Sequence, residues 1–238
     1  MTPAYHPQHS GNAPKRSDGR RALLARFPFF AGLDESLLKD IETRLQRITL
    51  QRGETALIEG EASDRLLLVE KGRLKLLRTS AEGKEHILRL LRPGDSFNEV
   101  SLLDNGPAPA TAVAMEPAVL YALSQKQFSE LLARHPAIAQ ATVRHLATQL
   151  RHLVSMVEDL SFKQVTGRLA KLLLAQATGG QTAGSQVERL TQQDMASMIG
   201  TAREVVARSL RALHEQGVIR MENRRIIIID RETLEELA

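Results

Sequence analysis

Residues Leu190 to Leu213 read LTQQDMASMIGTAREVVARSLRAL. Two helix-start signals stand in this stretch with one glycine between them. Thr191 followed by Asp194 is a short-armed variant of the capping box, and Thr201 followed by Glu204 is the regular T-x-x-E form. Gly200 falls where the chain must leave the first helix and turn. Two short helices about a tight glycine turn describe a helix-turn-helix, whose second helix enters the DNA major groove. At about 100° per residue, Val206, Leu210 and Leu213 share one face, the expected core side. Glu204, Ala207, Arg208 and Arg211 share another, with Arg203 in the first turn. Arginine can bond bidentately to guanine O6 and N7, and glutamate can accept from cytosine N4. The small Ala207 lets the backbone approach the bases. A lone R-E-x-x-x-R reads more simply as a solvated face with a Glu204–Arg208 pair at i,i+4. Two spaced caps and a central glycine favour base reading of double-stranded DNA.

Downstream, Gly217 to Met221 and Ile226 to Ile229 are apolar runs about the polar turn Glu222-Asn-Arg-Arg. This is a hairpin pattern, and a hairpin after a helix-turn-helix is a wing. Arg224 and Arg225 at its tip are candidate phosphate contacts, against the alternative of a surface turn that is merely basic. Asp230 is placed to cap a last helix over Arg231 to Leu237.

The chain of 238 residues is long enough for two modest domains. Cysteine is absent, so disulfides, thiolate zinc sites and cysteine-ligated iron–sulfur clusters are excluded. No apolar run is long enough to span a membrane and no signal-peptide core is present, so a cytoplasmic location is expected. The net charge of +4 resides in the first 26 residues, which carry five basic residues against Asp18. The remainder balances 27 basic against 27 acidic residues. DNA binding must therefore be argued from where the arginines sit. Residues 1–20, rich in Pro, Gly, Ser and His, read as a disordered basic tail.

Arg21 to Phe30 is a short amphipathic stretch, and Asp34 can cap a helix through about Leu45. From Ile48 to Leu123 short apolar runs alternate with Gly53, Gly60, Gly72, Gly83 and Gly94. Alternation is imperfect within the runs, but turns every 8–12 residues or so predict a small all-β roll. Ser124 to Arg134 returns to helical period, and Pro136 opens a long helix. There Val143, Leu146, Leu150, Leu153, Val157 and Leu160 recur at spacings of 3, 4, 3, 4, 3. This a/d seam, with valine at two a positions, favours a parallel two-stranded coiled coil over a helix that packs only on its own domain. Two reading helices on a two-fold axis would suit a palindromic site. The expected organisation is a β-roll over residues 21–135, a dimerisation helix over 136–160 and a winged helix-turn-helix over 161–238. A hinge is expected near Leu160–Phe162, followed by a helix from Ser161 to Gln176.

Three motifs carry a resemblance: Pro93-Gly-Asp-Ser-Phe-Asn-Glu-Val, Val165-Thr-Gly-Arg-Leu-Ala and Ile199-Gly-Thr-Ala-Arg-Glu-Val-Val-Ala-Arg. In this order, around a seamed helix, the chain from about Arg21 resembles the Crp/Fnr family of bacterial transcription regulators. The resemblance implies a β-roll effector domain, a long dimerisation helix, a C-terminal winged helix and contacts to RNA polymerase. Arg203, Glu204 and Arg208 match the reading set of the cyclic-AMP-responsive branch, which implies TGTGA-like half-sites. Thr201, Ala207 and Arg211 complete the expected DNA-facing set.

The expected effector pocket, comprising Arg89, Asn98, Glu99, Ala108, Pro109, Leu153 and Val154, departs from the family pattern. The common phosphate cassette reads G-E-L, seven residues, then R-S. Here the span runs from Asn98-Glu99-Val100 to Ala108-Pro109, or to Pro109-Ala110 with a one-residue shift. Glu99, the ribose-hydroxyl partner in the family, is retained. The phosphate-binding arginine is lost in either alignment, and proline offers neither hydroxyl nor N–H. Leu153-Val154 stand where the family has an adenine-contacting Thr-Ser pair. An effector other than cyclic AMP, or none, is expected. Haem bound through His86, His145 or His152 is the alternative. An enzyme is not expected, because the strand region holds one histidine, His86, and neither a metal-ligand nor a nucleophile constellation.

Overall fold

The computed structural model describes residues 21, 23–178, 185–187, 190–222 and 225–238, so the expected tail over 1–20 and Arg224 lie outside the described residues. Helix α1 (Glu35–Arg44) starts at Asp34, whose Oδ1 accepts from the Leu37 N–H at 2.8 Å. Eight strands follow: β1 (Gln46–Leu50), β2 (Thr55–Leu57), β3 (Arg65–Lys71), β4 (Leu74–Thr79), β5 (Glu85–Leu91), β6 (Ser96–Phe97), β7 (Thr111–Ala114) and β8 (Ala118–Ser124). They form two antiparallel four-stranded sheets, ordered β1-β8-β3-β6 and β2-β7-β4-β5. A short helix, α2 (Glu99–Asp104), leaves β6.

Leu50, Leu57, Leu67, Val69, Leu74, Leu91, Phe97 and Leu120 come from both sheets and form the core between them. A second core lies on the outer face of the first sheet, where Leu66, Leu68, Tyr121 and Leu123 meet Phe27, Phe29, Phe30, Ile41, Phe128 and Ile138. Strand β3 therefore buries successive residues Leu66 to Val69 on both faces. A strand covered on both sides has no polar face, which explains why its sequence is a continuous apolar run.

Helix α3 (Gln125–Arg134) opens with a complete capping box between Ser124 and Gln127. Helix α4 (Pro136–Phe162) starts with proline at its first position, where the missing N–H costs nothing. Its 27 residues span about 40 Å. The expected hinge near Leu160–Phe162 and the helix expected from Ser161 need correction. Helix α4 continues to Phe162 and the next helix, α5, spans Val165–Ala175. The break is at Lys163 and Gln164, both extended, with ψ of 141° and 159°. Neither glycine nor proline marks it in the sequence. Asp159 holds the junction by accepting from Lys171 of α5 and pairing with Lys163.

The C-terminal unit continues with β9 (Ala177–Thr178), β10 (Gln186–Val187), α6 (Gln192–Ile199), α7 (Arg203–Glu215), β11 (Ile219–Glu222), β12 (Arg225–Ile228) and α8 (Arg231–Leu237). Its sheet is ordered β11-β12-β10-β9. Leu169, Leu173, Met195, Ile199, Val206, Leu210, Leu213, Ile228 and Leu234 form one core. Gly167 lets α5 and α8 approach, since a Cβ there would lie 2.7 Å from the Leu237 carbonyl oxygen. Asp230 caps α8 through the Thr233 N–H at 3.0 Å, as expected from its position.

The C-terminal unit is seated on the β-roll. Leu77, Ile87 and Leu90 of the β4–β5 hairpin form a small core that Leu190 and Met198 pack against. His86 of β5 is half-buried there and bonds the Ser197 backbone. The architecture is thus an N-terminal β-roll, a long helix and a C-terminal winged helix-turn-helix. Among the described residues no helix is long and apolar enough to cross a membrane.

Candidate nucleic-acid interface

The helix-turn-helix is built by local chemistry. Thr191 and Asp194 form a reciprocal capping box, with the Asp194 N–H donating to Thr191 Oγ1 at 3.0 Å and the Thr191 N–H to Asp194 Oδ2 at 3.2 Å. Gly200 ends α6 in the left-handed region at φ 66°, where glycine carries no Cβ penalty. The Thr201 N–H donates back to the Ala196 carbonyl at 3.0 Å and closes the turn. Arg168 fastens this corner from α5, donating to the Ile199 carbonyl at 2.9 Å and to the Lys163 carbonyl at 2.6 Å.

The second helix corrects the expected cap. Its N-cap is Ala202 rather than Thr201, and no side chain caps it. The reason lies in the turn. Thr201 is consumed in closing α6, so the first helical residue is Arg203, one position later than T-x-x-E predicts. The faces are as expected: Val206, Leu210 and Leu213 are buried, Arg203, Glu204, Arg208 and Arg211 are exposed, and Ala207 is half-buried between them. The Glu204–Arg208 pair of the simpler reading does not form. Among the described residues, no ion pair or side-chain hydrogen bond engages Arg203, Glu204, Arg208 or Arg211. In the wing, Glu222 and Arg225 stand opposite each other, and Arg225 is exposed.

The expected effector residues are only partly brought together. Asn98 sits left-handed at φ 72°, where the family motif has glycine, and asparagine is among the few side chains that tolerate this. Its Nδ2 donates to Ser63 Oγ and the Arg65 carbonyl, both at 2.9 Å, while its buried Oδ1 finds no hydrogen-bond partner among the described residues. Glu99 is buried. Its Oε1 accepts from Ser96 Oγ at 2.5 Å and lies 3.2 Å from His145 Nε2 of the long helix. Burial alone would push this carboxyl up. Hydrogen bonds from His145, Ser96 and its own backbone outweigh that and hold it below the ordinary carboxylate value.

Arg89 is mostly buried but pairs with Asp95 at 3.2 Å and donates to the Ser96 carbonyl at 3.3 Å. Ala108 lies in the apolar core between the sheets, with its N–H and carbonyl committed to Glu61 and Gly60. Pro109 is exposed. Leu153 and Val154 are also exposed and, eight and nine residues beyond His145, lie about 12 Å or more along the helix from the Glu99 contact. Within one chain they do not line the same site as Glu99.

Sequence reasoning treated His145 as a candidate haem ligand and missed its contacts with Glu99 and with Phe29, whose ring meets it edge-on at 4.8 Å. These partners are far apart in the chain, so no local pattern signals them. His152 is exposed. Among the described residues no cluster of three or more potential metal-ligating side chains forms.

A winged helix-turn-helix with an open arginine-bearing face, carried by a β-roll and a long helix, defines a DNA-binding regulator with a sensor-type domain. Comparison with known proteins agrees. Residues 47–135 match the cyclic nucleotide-binding domain model and residues 167–237 the Crp-like helix-turn-helix domain model. The chain is 33% identical to a CRP-like cAMP-activated global transcriptional regulator of Mycobacterium tuberculosis, over 89% of this chain and 96% of that protein. It is 34% identical to the cyclic AMP receptor protein of Thermus thermophilus, with the same coverage. The structure of FixK2 from Bradyrhizobium japonicum, at 23% identity, shares the fold with a TM-score of 0.71 over 81% of this chain and 96% of that one. The chain belongs to the Crp/Fnr family. It is a DNA-binding transcription regulator, as its relatives are, and not an enzyme.

Proposed function

We propose that the chain acts in the cytoplasm as a homodimer that reads palindromic TGTGA-like half-sites and answers to an effector other than cyclic AMP, or to none. One observation carries the dimer. Val143, Leu150, Leu153, Val157 and Leu160 form an apolar seam on α4 that is 41–66% exposed in the single chain. Leu146 completes it, half-buried. A seam of this length left in water is costly, and a second copy related by a two-fold axis would cover it. The same axis would present two α7 helices to one duplex, with Arg203, Glu204 and Arg208 at the bases. Thr201, Arg211 and Arg225 are assigned to flanking contacts, and RNA polymerase is the protein partner that family membership suggests.

The effector reading rests on the roll. The two relatives named above are a cAMP-activated regulator and a cyclic AMP receptor by name. Here the cassette's anion-binding position carries no cation in either alignment, being the buried Ala108 or the exposed Pro109, and Arg89 is already neutralised by Asp95. A phosphate at this place would lose its hydration without gaining a cation. Haem is the weaker alternative, because His145 is engaged by Glu99 and His152 points to solvent.

Sedimentation of the purified chain should give a dimer, and Leu150→Asp should give a monomer. Anisotropy on single-base variants of a duplex with two inverted TGTGA half-sites one helical turn apart should show position-dependent losses. Equal affinity for every variant refutes base reading, a monomeric wild type refutes the dimer, and micromolar cyclic-AMP binding by calorimetry refutes the effector assignment.

A further inference from the structure

We propose that Glu99 is a positioning residue for the DNA-binding unit, acting through a polar relay that leaves the roll by way of Arg92. This deepens the functional reading and rests on it in one respect, that a ligand in the roll is what would draw on Glu99.

The relay is continuous in the single chain. His145 Nε2 on α4 meets Glu99 Oε1 at 3.2 Å. Ser96 Oγ donates to the same oxygen at 2.5 Å. The Ser96 carbonyl accepts from Arg89 Nη2, which also pairs with Asp95 Oδ1 at 3.2 Å. Asp95 Oδ2 accepts from the Arg92 N–H at 2.8 Å. The Arg92 guanidinium then leaves the roll, and Nη2 donates to Oε1 of Gln176, the residue that ends α5. Glu99, His145, Ser96 and Gln176 are all buried. The path runs from the long helix, through the Pro93-Gly94-Asp95 turn, to the first helix of the DNA-binding unit.

Burial gives the two ends of this relay, at Glu99 and at Gln176, their leverage, while Arg89, Asp95 and Arg92 between them are partly buried. A buried carboxylate bound to a neutral or charged donor tolerates little displacement, because each partner left behind loses its compensation. Withdrawing Glu99 from Ser96 removes the side-chain bond on the strand whose carbonyl anchors Arg89, leaving that strand held by its pairing with β3. Arg89 and Asp95, with backbone bonds linking Gly94 and Asp95 to Val69, hold the turn that aims Arg92. The covalent link between the long helix and the DNA-binding unit, at Lys163–Gln164, is two extended residues braced by Asp159 through Lys163 and Lys171. The Arg92–Gln176 contact is a further, polar tether on the same unit, beside the apolar seat on the β4–β5 hairpin and the Asp159–Lys171 pair, and its upstream end is Glu99.

The test uses the full chain with neither DNA nor ligand, so it is independent of base reading and of effector identity. Amide hydrogen exchange is followed by mass spectrometry on peptides covering α5 and α6. Glu99→Gln is expected to speed exchange at the C-terminal end of α5 and in α6 by about 5-fold or more, the low end of ordinary coupling between sites. Arg92→Met is expected to reproduce the effect, and Arg92→Lys to bring it back within about 2-fold of wild type by restoring a donor. Adding Arg92→Met to Glu99→Gln should produce no further change. If Glu99→Gln fails to fold, Ser96→Ala removes one link with a smaller perturbation and takes its place. A response confined to residues 93–104 and the first turns of α4 overturns the proposal, as does an Arg92→Met protein whose α5 and α6 exchange like wild type. Independent, multiplying effects in the double variant overturn it as well.

Discussion

Helix α7 begins at Ala202, whose backbone is extended at φ −87° and ψ 150° and whose side chain caps nothing. That is the backbone geometry of a capping serine, so Ala202→Ser should place a hydroxyl oxygen within reach of the first-turn N–H groups of Glu204 and Val205 without moving the chain. Serine in place of alanine at an N-cap is worth about 1 kcal/mol, with a range of roughly 0.5–2. If the chain unfolds as one unit, this raises the melting temperature by about 2–4 °C. If the DNA-binding unit melts alone, its smaller unfolding entropy makes the rise about 4–8 °C. Thr201→Ala is the paired control. Thr201 lies one residue outside the cap and contributes its N–H to Ala196, a bond that alanine keeps, so its effect should be near zero. Calorimetry on wild type and both variants decides the matter. A loss of about 1 kcal/mol in Thr201→Ala, with Ala202→Ser neutral, would refute the reasoning and move the helix start back to the position the T-x-x-E pattern suggests.

Three further outcomes are expected. Gly200→Ala should destabilise by about 1–2 kcal/mol for the left-handed backbone alone, with an added contact at 3.0 Å to Leu160, and Gly200→Asn should lose less; urea midpoints measure both. Arg208→Ala should weaken operator binding by about 1–3 kcal/mol and relax one base position, read by anisotropy at fixed salt across substituted duplexes. The third concerns pH. Burial against the DNA-binding unit lowers the His86 pKa below its ordinary 6.5, outweighing the bond to Ser197, and Lys84 lowers it further. A depressed histidine stabilises fully above its unfolded pKa, and the gain is lost as pH falls through the folded value. Melting temperature should therefore fall between about pH 7 and pH 5 more steeply in wild type than in His86→Gln; equal slopes would mean that His86 does not titrate at this contact.

What the sequence makes legible is what local chemistry decides. Asp34, Thr191 and Asp230 cap the helices they precede because a capping oxygen reaches only the next turn. The faces of α7 follow from period alone. The start of α7 was misplaced because two adjacent residues offer plausible starts, and the winner depends on the turn that Gly200 forces on Thr201. The break at Lys163–Gln164 carries no breaker residue; it is held from a distance by Lys171 and Asp159. The continuous apolar run of β3 fits its two-sided burial but does not say what covers its outer face, since Phe27, Phe29, Phe30 and Phe128 stand far from it in the chain. Glu99 was legible as a pocket residue by resemblance, but its contact with His145 was not. Across 46 positions nothing in either residue announces the other.

The seat of α6 on the β4–β5 hairpin has a mechanical consequence. The roll, the long helix and the DNA-binding unit are joined in series by the chain, and the seat joins the last of them back to the first. The three bodies form a closed linkage rather than an arm with a free end. In a closed linkage a hinge cannot turn unless another joint yields, so the extended residues at Lys163–Gln164 confer little freedom while Met198 rests on Ile87 and Leu90. Reorientation of α7 then requires the joints that close the loop, the hairpin seat and the Arg92–Gln176 contact, to yield before the extended residues can turn.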